Sequence, residues 1–506
     1  MVEEKEYKGA GLFLGDIEIE GPIEPWPPTS RTELLSEVDP STGTLEDIRS
    51  ILSRKLPLAF RRATDEAEVE PFVALAKQAL DEGLPFEKAL RRGLKGIICS
   101  PELLFMEERY VDRTGGSGDA NDPTIDAYGL ATRLSYFLWI SLPDEQLISL
   151  AARGDLEKPN VLRAQVERML ADPKSNRFVE SFTGQWLRLY DIDFTVPDMN
   201  LYPEYGQLLR QSMLDETHAF FREILDQNHS VNDFIDSSYV MINKPLADFY
   251  GLEGSVEWSK GDVERDDIEK GEIDQSSNIS GLKVRRVELP KGSVRGGVLT
   301  QASVLKVSAD GTRTSPVLRG AWILKYLYGT PSPPPPPTVE AIEPDIRGAT
   351  TIREQLAKHR EHESCNRCHH KIDPPGFALE SFDVIGAQRD WYRTRGSGKY
   401  VKRPRHPQAP KHYVQYRQGP DVDASGTMPD GREFSDVRDY KRLLLEDKEA
   451  MPHSLARLLL TYSLGRRLGF SDRPEVERIV ASVKGQNYGL RSLIHEIVQS
   501  ETFRSP

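Results

Sequence analysis

The chain has 506 residues, 38% hydrophobic and 29% charged, enough to bury sizeable cores and to form several domains. Its net charge of −13 and pI near 5.4 argue against a nucleic-acid-binding surface and are compatible with a basic partner. No run of eighteen apolar residues occurs, so no transmembrane segment is expected, and Met1-Val-Glu-Glu-Lys-Glu-Tyr7 lacks the basic and apolar regions of a signal peptide.

Residues 1–45 read as short strands and loops around the proline-rich Ile23-Glu-Pro-Trp-Pro-Pro28. Over 46–112 the pattern turns helical. Asp47–Leu56, Glu66–Asp81 and Pro85–Leu104 carry apolar residues at three-and-four spacing, with Asp65 and Pro71 as helix-start punctuation. Cys99 falls in the last run and is expected to be a buried, inert thiol. A second helical block spans 124–253, with helices expected over Asp126–Ile140, 159–171, 174–189, 203–227 and 243–250. Asp144 is placed to cap another. Phe178, Phe182, Trp186 and Leu189 form a stripe that reads as core. Asp215, Glu216 and His218 are candidates for an acid/base cluster, although helices ordinarily carry such charges on a solvated face, and that is the expectation.

Residues 254–292 are polar and read as a linker or insertion. The segment 293–395 opens with Arg295–Leu305, followed by Thr314-Ser-Pro-Val-Leu-Arg-Gly320, an N-cap with a first-turn proline. An apolar helix with Trp322, Leu324 and Leu327, a polyproline spacer over Pro331–Pro337 and a charged helix over Thr350–Glu363 come next. Residues 396–433 read as loop and β, and 434–506 as helical again, expected to dock on the segment before it. The fold class is therefore mainly α and multidomain, with helical blocks and short β or loop-rich connections.

The charged helix runs into Cys365-Asn-Arg-Cys368-His369, the one Cys-x-x-Cys-His of the chain, which uses two of its three cysteines. Two thiols that bond porphyrin vinyl groups, followed by an iron-ligating histidine, are the signature of covalent haem c. Zinc is the alternative: His359, His362, Cys365 and Cys368 recur every three residues, and zinc takes sulfur and nitrogen ligands at short spacings. Against zinc, all candidates lie in one stretch. A thioredoxin-like site would need a βαβ context that the pattern lacks. After the motif, Asp373-Pro-Pro-Gly376 reads as a turn. A carbonyl near Pro374-Pro375 is the expected acceptor for the second ring nitrogen of His369, and Phe377, Leu379 and Phe382 are set to pack on the macrocycle or simply in the core. Met428, between Gly426 and Pro429, is the candidate sixth ligand; His453 and an open iron are the alternatives. With an open iron, Arg389, Glu380 or Asp383 would assist O–O cleavage; otherwise they read as salt bridges. Asp421-Val-Asp423-Ala-Ser425-Gly426 resembles the start of a calcium loop, but Arg432 stands where a bidentate Glu is needed, and a β-turn is the expected reading.

Cys365–Arg389 resembles the C-terminal half of a large planctomycete family of multidomain, cytochrome-c-like proteins made of domains of unknown function. Gly21–Pro28, Arg61–Thr64, Leu134–Trp139, Ile242–Gly251, Thr314–Gly320, Asp423–Gly431 and Thr461–Arg466 match it in the same order. The resemblance implies a c-type haem held by Cys365, Cys368 and His369, electron transfer or haem-dependent oxidation in the periplasm or elsewhere outside the cytoplasm, and an unspecified redox partner. Family members usually begin with a cytochrome-like segment, often behind a signal peptide, so the chain is expected to be an N-terminally truncated member. No substrate follows.

Overall fold

The computed structural model describes residues 27–106, 110–111, 124–252, 254–259, 282–332, 351–401 and 416–505. Most of the proline-rich run near 23–28, of the polar stretch after 259 and of the polyproline spacer lies outside them. The described residues are mainly α, with helices throughout and only short strands. Backbone packing divides them into two compact units: 27–59 with 64–105, and the rest.

The first unit holds α1 (Thr29–Leu35), α2 (Leu45–Phe60), α3 (Glu66–Asp81), α4 (Phe86–Ile98) and α5 (Pro101–Leu104). A capping box starts α3: the Asp65 carboxylate accepts from the Glu68 N–H at 3.0 Å and the Glu68 carboxylate from the Asp65 N–H at 3.1 Å. Pro71 lies inside that helix rather than at its start. On α4 the buried stripe is Phe86, Ala89, Leu90, Gly93 and Ile97. That spacing turns Cys99 outward. The thiol is exposed at the helix end, which corrects the expectation that it is buried.

The second unit begins with β1 (Tyr110–Val111) paired antiparallel to β2 (Thr124–Ile125), then α6 (Ala127–Trp139), α7 (Glu145–Ala152), α8 (Pro159–Ala171), α9 (Asn176–Trp186) and α10 (Gln207–Asp226). Asp144 caps α7 by accepting from the Leu147 N–H. The α9 stripe is core: Phe178 and Phe182 pack on Phe137, Phe221 and Tyr462 at ring-centroid distances of 5.3–5.9 Å. β3 (Tyr239–Ile242), α11 (Lys244–Tyr250) and β4 (Arg285–Glu288) follow, with β4 antiparallel to β3. The end of the polar stretch is thus a strand, because Val287 anchors it in a core with Val240 and Ile242.

Then come α12 (Ala302–Val307), α13 (Pro316–Trp322), α14 (Ile352–Arg360) and α15 (Glu363–Ala378). β5 (Trp391–Thr394), β6 (Lys399–Tyr400) and β7 (Arg417–Asp421) form a sheet in the order β5-β7-β6, and β8 (Gly426–Thr427) pairs with β9 (Glu433–Phe434) as a hairpin. The chain closes with α16 (Val437–Leu444), α17 (Ala450–Leu464), α18 (Arg473–Lys484), α19 (Leu490–Gln499) and α20 (Glu501–Arg504). Leu379 and Phe382 share one core with Leu455, Leu459, Leu493 and Ile497, so the C-terminal helices do pack on the end of the motif segment. No helix among the described residues is long and apolar enough to cross a membrane.

Candidate functional site

Two glycines set the frame of the motif. A Cβ on Gly320 of α13 would stand 1.7 Å from the carbonyl oxygen of Ile372, and one on Gly376 of α15 would stand 1.8 Å from that of Pro316. The helices therefore cross with each carbonyl against the other's glycine Cα, a geometry open only to residues without a side chain. Asp373-Pro-Pro-Gly376 is consequently not a turn. Pro374 and Pro375 cannot donate to the carbonyls of His370 and Lys371, yet Ile372–Ala378 is buried and helical throughout. Burial against α13 outweighs the local preference, which is why the turn expectation fails.

Cys365 and Cys368 lie in the first turns of α15, and both are partly buried free thiols. Cys365, Cys368 and His369 stand at i, i+3 and i+4, on one helical face. His369 Nδ1 is 2.9 Å from Asp373 Oδ1, one turn on. A carboxylate only accepts, so Nδ1 carries a proton, and in the neutral imidazole the lone pair is then on Nε2. The acceptor is this side chain and not a carbonyl near the prolines. Asp373 is fully buried, and its Oδ2 lacks a hydrogen bond, with the Arg360 guanidinium 3.7 Å away. His359 packs edge-on against His369, ring centroids 4.6 Å apart; its partial burial and the neighbouring imidazole hold its pKa below the usual histidine value.

The three-residue rhythm of His359, His362, Cys365 and Cys368 does not run along one helix. α14 ends at Arg360, and His362 is the exposed residue preceding α15. Among the described residues no group of three or more His, Cys, Asp or Glu side chains converges as a metal site would. His370 turns back to the Asn366 carbonyl at 2.8 Å.

Phe377 is buried, and the Arg353 guanidinium of α14 lies 4.1 Å over its ring. The same guanidinium donates to the carbonyls of Asp423 (3.0 Å) and Ser425 (2.6 Å). It thereby ties the loop before Met428 to the face of Phe377. Asp423 spends its carboxylate on Ser425 and Arg353, which accounts for the turn that resembles a calcium loop. Met428 forms the β8–β9 turn, taking the Arg432 carbonyl at 2.7 Å, and its side chain packs partly buried on the main core. His453 lines a cleft of about 380 Å³ between α17 and α18, with Arg457, Phe470 and Arg473.

Four family models match the chain in sequence, each described as a protein of unknown function: DUF1595 over residues 47–108, DUF1592 over 125–252, DUF1588 over 295–392 and DUF1585 over 430–503. The chain carries the four domains of a multidomain family of unknown function. No curated protein and no solved structure matches it.

The Cys-x-x-Cys-His motif and both crossing helices lie in the DUF1588 segment. That segment also holds a buried charge network. Arg319 donates to the carbonyls of Leu379, at the C-terminal cap of α15, and of Phe382 and Asp383 in the segment after it, at 2.7 Å each. Burial draws its pKa down to about 10, against the pull of Glu380. Glu380 Oε2 accepts from Thr314, Arg389 and Tyr392 at 2.9, 3.1 and 2.7 Å. Asp383 accepts from the Ile385 and Ala387 N–H groups at 2.9 Å, and burial raises its pKa although Arg393 stands nearby. Arg389 and Glu380 are thus an ion pair and Asp383 a buried carboxylate beside Arg393, and together they brace the chain after α15.

A second buried cluster overturns the solvated-face expectation for α10, in the DUF1592 segment. Asp215, Glu216, Thr217 and His218 are all buried. Tyr250 donates to Glu216 at 2.6 Å and accepts from the Ala302 N–H at 2.8 Å; Arg295 stacks 3.7 Å over the Tyr250 ring. Burial raises the Glu216 pKa to about 8 and lowers that of His218 to about 4. The partners come from α11 and the strand-free segment near 295–302, so no pattern within α10 announces them.

Proposed function

We propose that the chain binds one covalent c-type haem through Cys365 and Cys368, with His369 as iron ligand, and acts in electron transfer or haem-dependent oxidation outside the cytoplasm. One observation carries the reading: two free, partly buried thiols share a helical face with an imidazole whose Nδ1 is engaged by Asp373, which leaves Nε2 as the nitrogen to ligate iron. α14 adds to it. None of its residues is buried, although Ile352 and Leu356 are apolar, so the hairpin of α14 and α15 retains surface that a flat apolar macrocycle would cover.

When bound, haem supplies one-electron chemistry at iron. The chain's part is to fix it and tune it. Cys365 and Cys368 would hold the porphyrin through thioether bonds and His369 would ligate iron, while Arg353 with Phe377 holds the loop that carries Met428, the candidate second ligand. Haem attachment takes place outside the cytoplasm in bacteria, and a redox partner follows from the same reading. Zinc at these cysteines would need further ligands, and among the described residues no three His, Cys, Asp or Glu side chains are grouped to hold a metal ion.

Expression with a haem-maturation system and a pyridine haemochrome spectrum provide the test. The wild type should carry one attached haem, Cys365→Ala and Cys368→Ala should each alter or lose thioether attachment, and the double variant should be colourless. A colourless wild type that retains stoichiometric zinc would overturn the proposal.

A further inference from the structure

We infer that Asp373 is a positioning residue that lends the His369 imidazole anionic character and so holds the bound haem at a low reduction potential; this rests on the haem reading above. Asp373 is fully buried, and the only hydrogen bond described for its carboxylate is to His369 Nδ1, at 2.9 Å. It is also held still. The helical step of four residues sets its register with His369, and the Gly320–Gly376 crossing clamps the backbone on both sides of it. A carboxylate on the far nitrogen raises the basicity of the ligating one. A more strongly donating axial ligand favours ferric over ferrous iron. Arg360, 3.7 Å from Oδ2, pulls on the same carboxylate from the other side and tempers the effect. His359 lies against His369 itself, so it belongs to this side of the site and is not poised as an opposing ligand.

The experiment measures reduction potentials of the haem-loaded full chain by spectroelectrochemistry. Asp373→Asn keeps an acceptor for Nδ1 and removes only the charge. Its haemochrome yield should match the wild type while its potential shifts positive, and Asp373→Glu should return it towards the wild-type value. Arg360→Ala should shift it negative. Glu363→Gln, an exposed carboxylate on the same helix, should leave it in place. If Asp373→Asn does not fold, the sign of the Arg360→Ala shift decides. An unshifted Asp373→Asn or Arg360→Ala, with haem attached, would overturn the inference while leaving the haem reading standing; a wild type without haem removes both.

Discussion

Glu216 and His218 are two positions apart on α10 and titrate in opposite senses. Burial without a cationic hydrogen-bond partner keeps the Glu216 carboxyl protonated up to about pH 8. Between pH 4.5 and 8 the folded chain therefore holds a proton that the unfolded chain has released, and stability falls as pH rises through that window. His218, with a pKa lowered to about 4, is neutral in the fold. Its contribution is lost as pH falls from 6.5 towards 4. From pH 6.5 to 8 the Glu216 slope dominates: it loses roughly 1.5 kcal/mol, of which the last of the unfolded-state titration at His218 returns only about 0.4 kcal/mol. The tryptophans among the described residues, Trp139, Trp186, Trp258, Trp322 and Trp391, all lie in the second unit. Urea unfolding followed by tryptophan fluorescence should show this loss in the wild type and its absence in Glu216→Gln; a variant with the wild-type slope would place the titration elsewhere. At this scale the sequence identifies Cys365, Cys368 and His369 as a set, because the motif is local. It does not identify Asp373 as the histidine's partner, since a prolyl pair after an aspartate advertises a turn. Nor does it reveal the burial of Glu216, whose partner Tyr250, itself held by the Ala302 N–H, is 34 residues away in sequence.

The helices were legible where their stops and caps are local. Asp65, Asp126 and Asp144 each accept from the backbone N–H three residues on, as a capping aspartate should, and the helices they open begin at the expected places. α15 was not legible, because what stabilises it is another helix. Its interior prolines forfeit two hydrogen bonds, and only the close crossing with α13 explains why Thr314–Gly320 and Asp373–Phe377 carry the residues they do. The crossing gives a test. Gly320→Ala would drive a methyl group into the Ile372 carbonyl at 1.7 Å, a backbone atom that cannot swing aside as a side chain can. The expected cost is about 3 kcal/mol or more, read as a lower urea midpoint of the second unit. Gly83→Ala makes a useful contrast: open space surrounds it, but its φ of 80° brings strain alone, and its effect should fall on the first unit. A Gly320→Ala midpoint within error of the wild type would mean that the helices can part without loss.

On the scale of the molecule, the first unit closes on its own apolar set. Ile48, Ile51, Leu52, Val69, Val73, Phe86, Leu90 and Ile97 are buried, yet none belongs to the two large cores of the second unit. Most of the first unit's helices fall on the three amphipathic runs read between 46 and 112, which are contiguous in sequence. The second unit is not readable in the same way: its main core gathers residues from α6 to α20, far apart along the chain. Separate cores imply separate cooperative transitions. The first unit, about 75 described residues, should absorb on the order of 50 kcal/mol at its own midpoint, and a smaller buried fraction should make it the less stable. In a Trp26→Phe background, tryptophan fluorescence reports the second unit and far-UV circular dichroism reports the helices of both. Thermal or urea curves should then separate, with an early loss of ellipticity that fluorescence does not follow. Superimposable curves, with one calorimetric peak whose van't Hoff and calorimetric enthalpies agree, would show that the two cores melt as one.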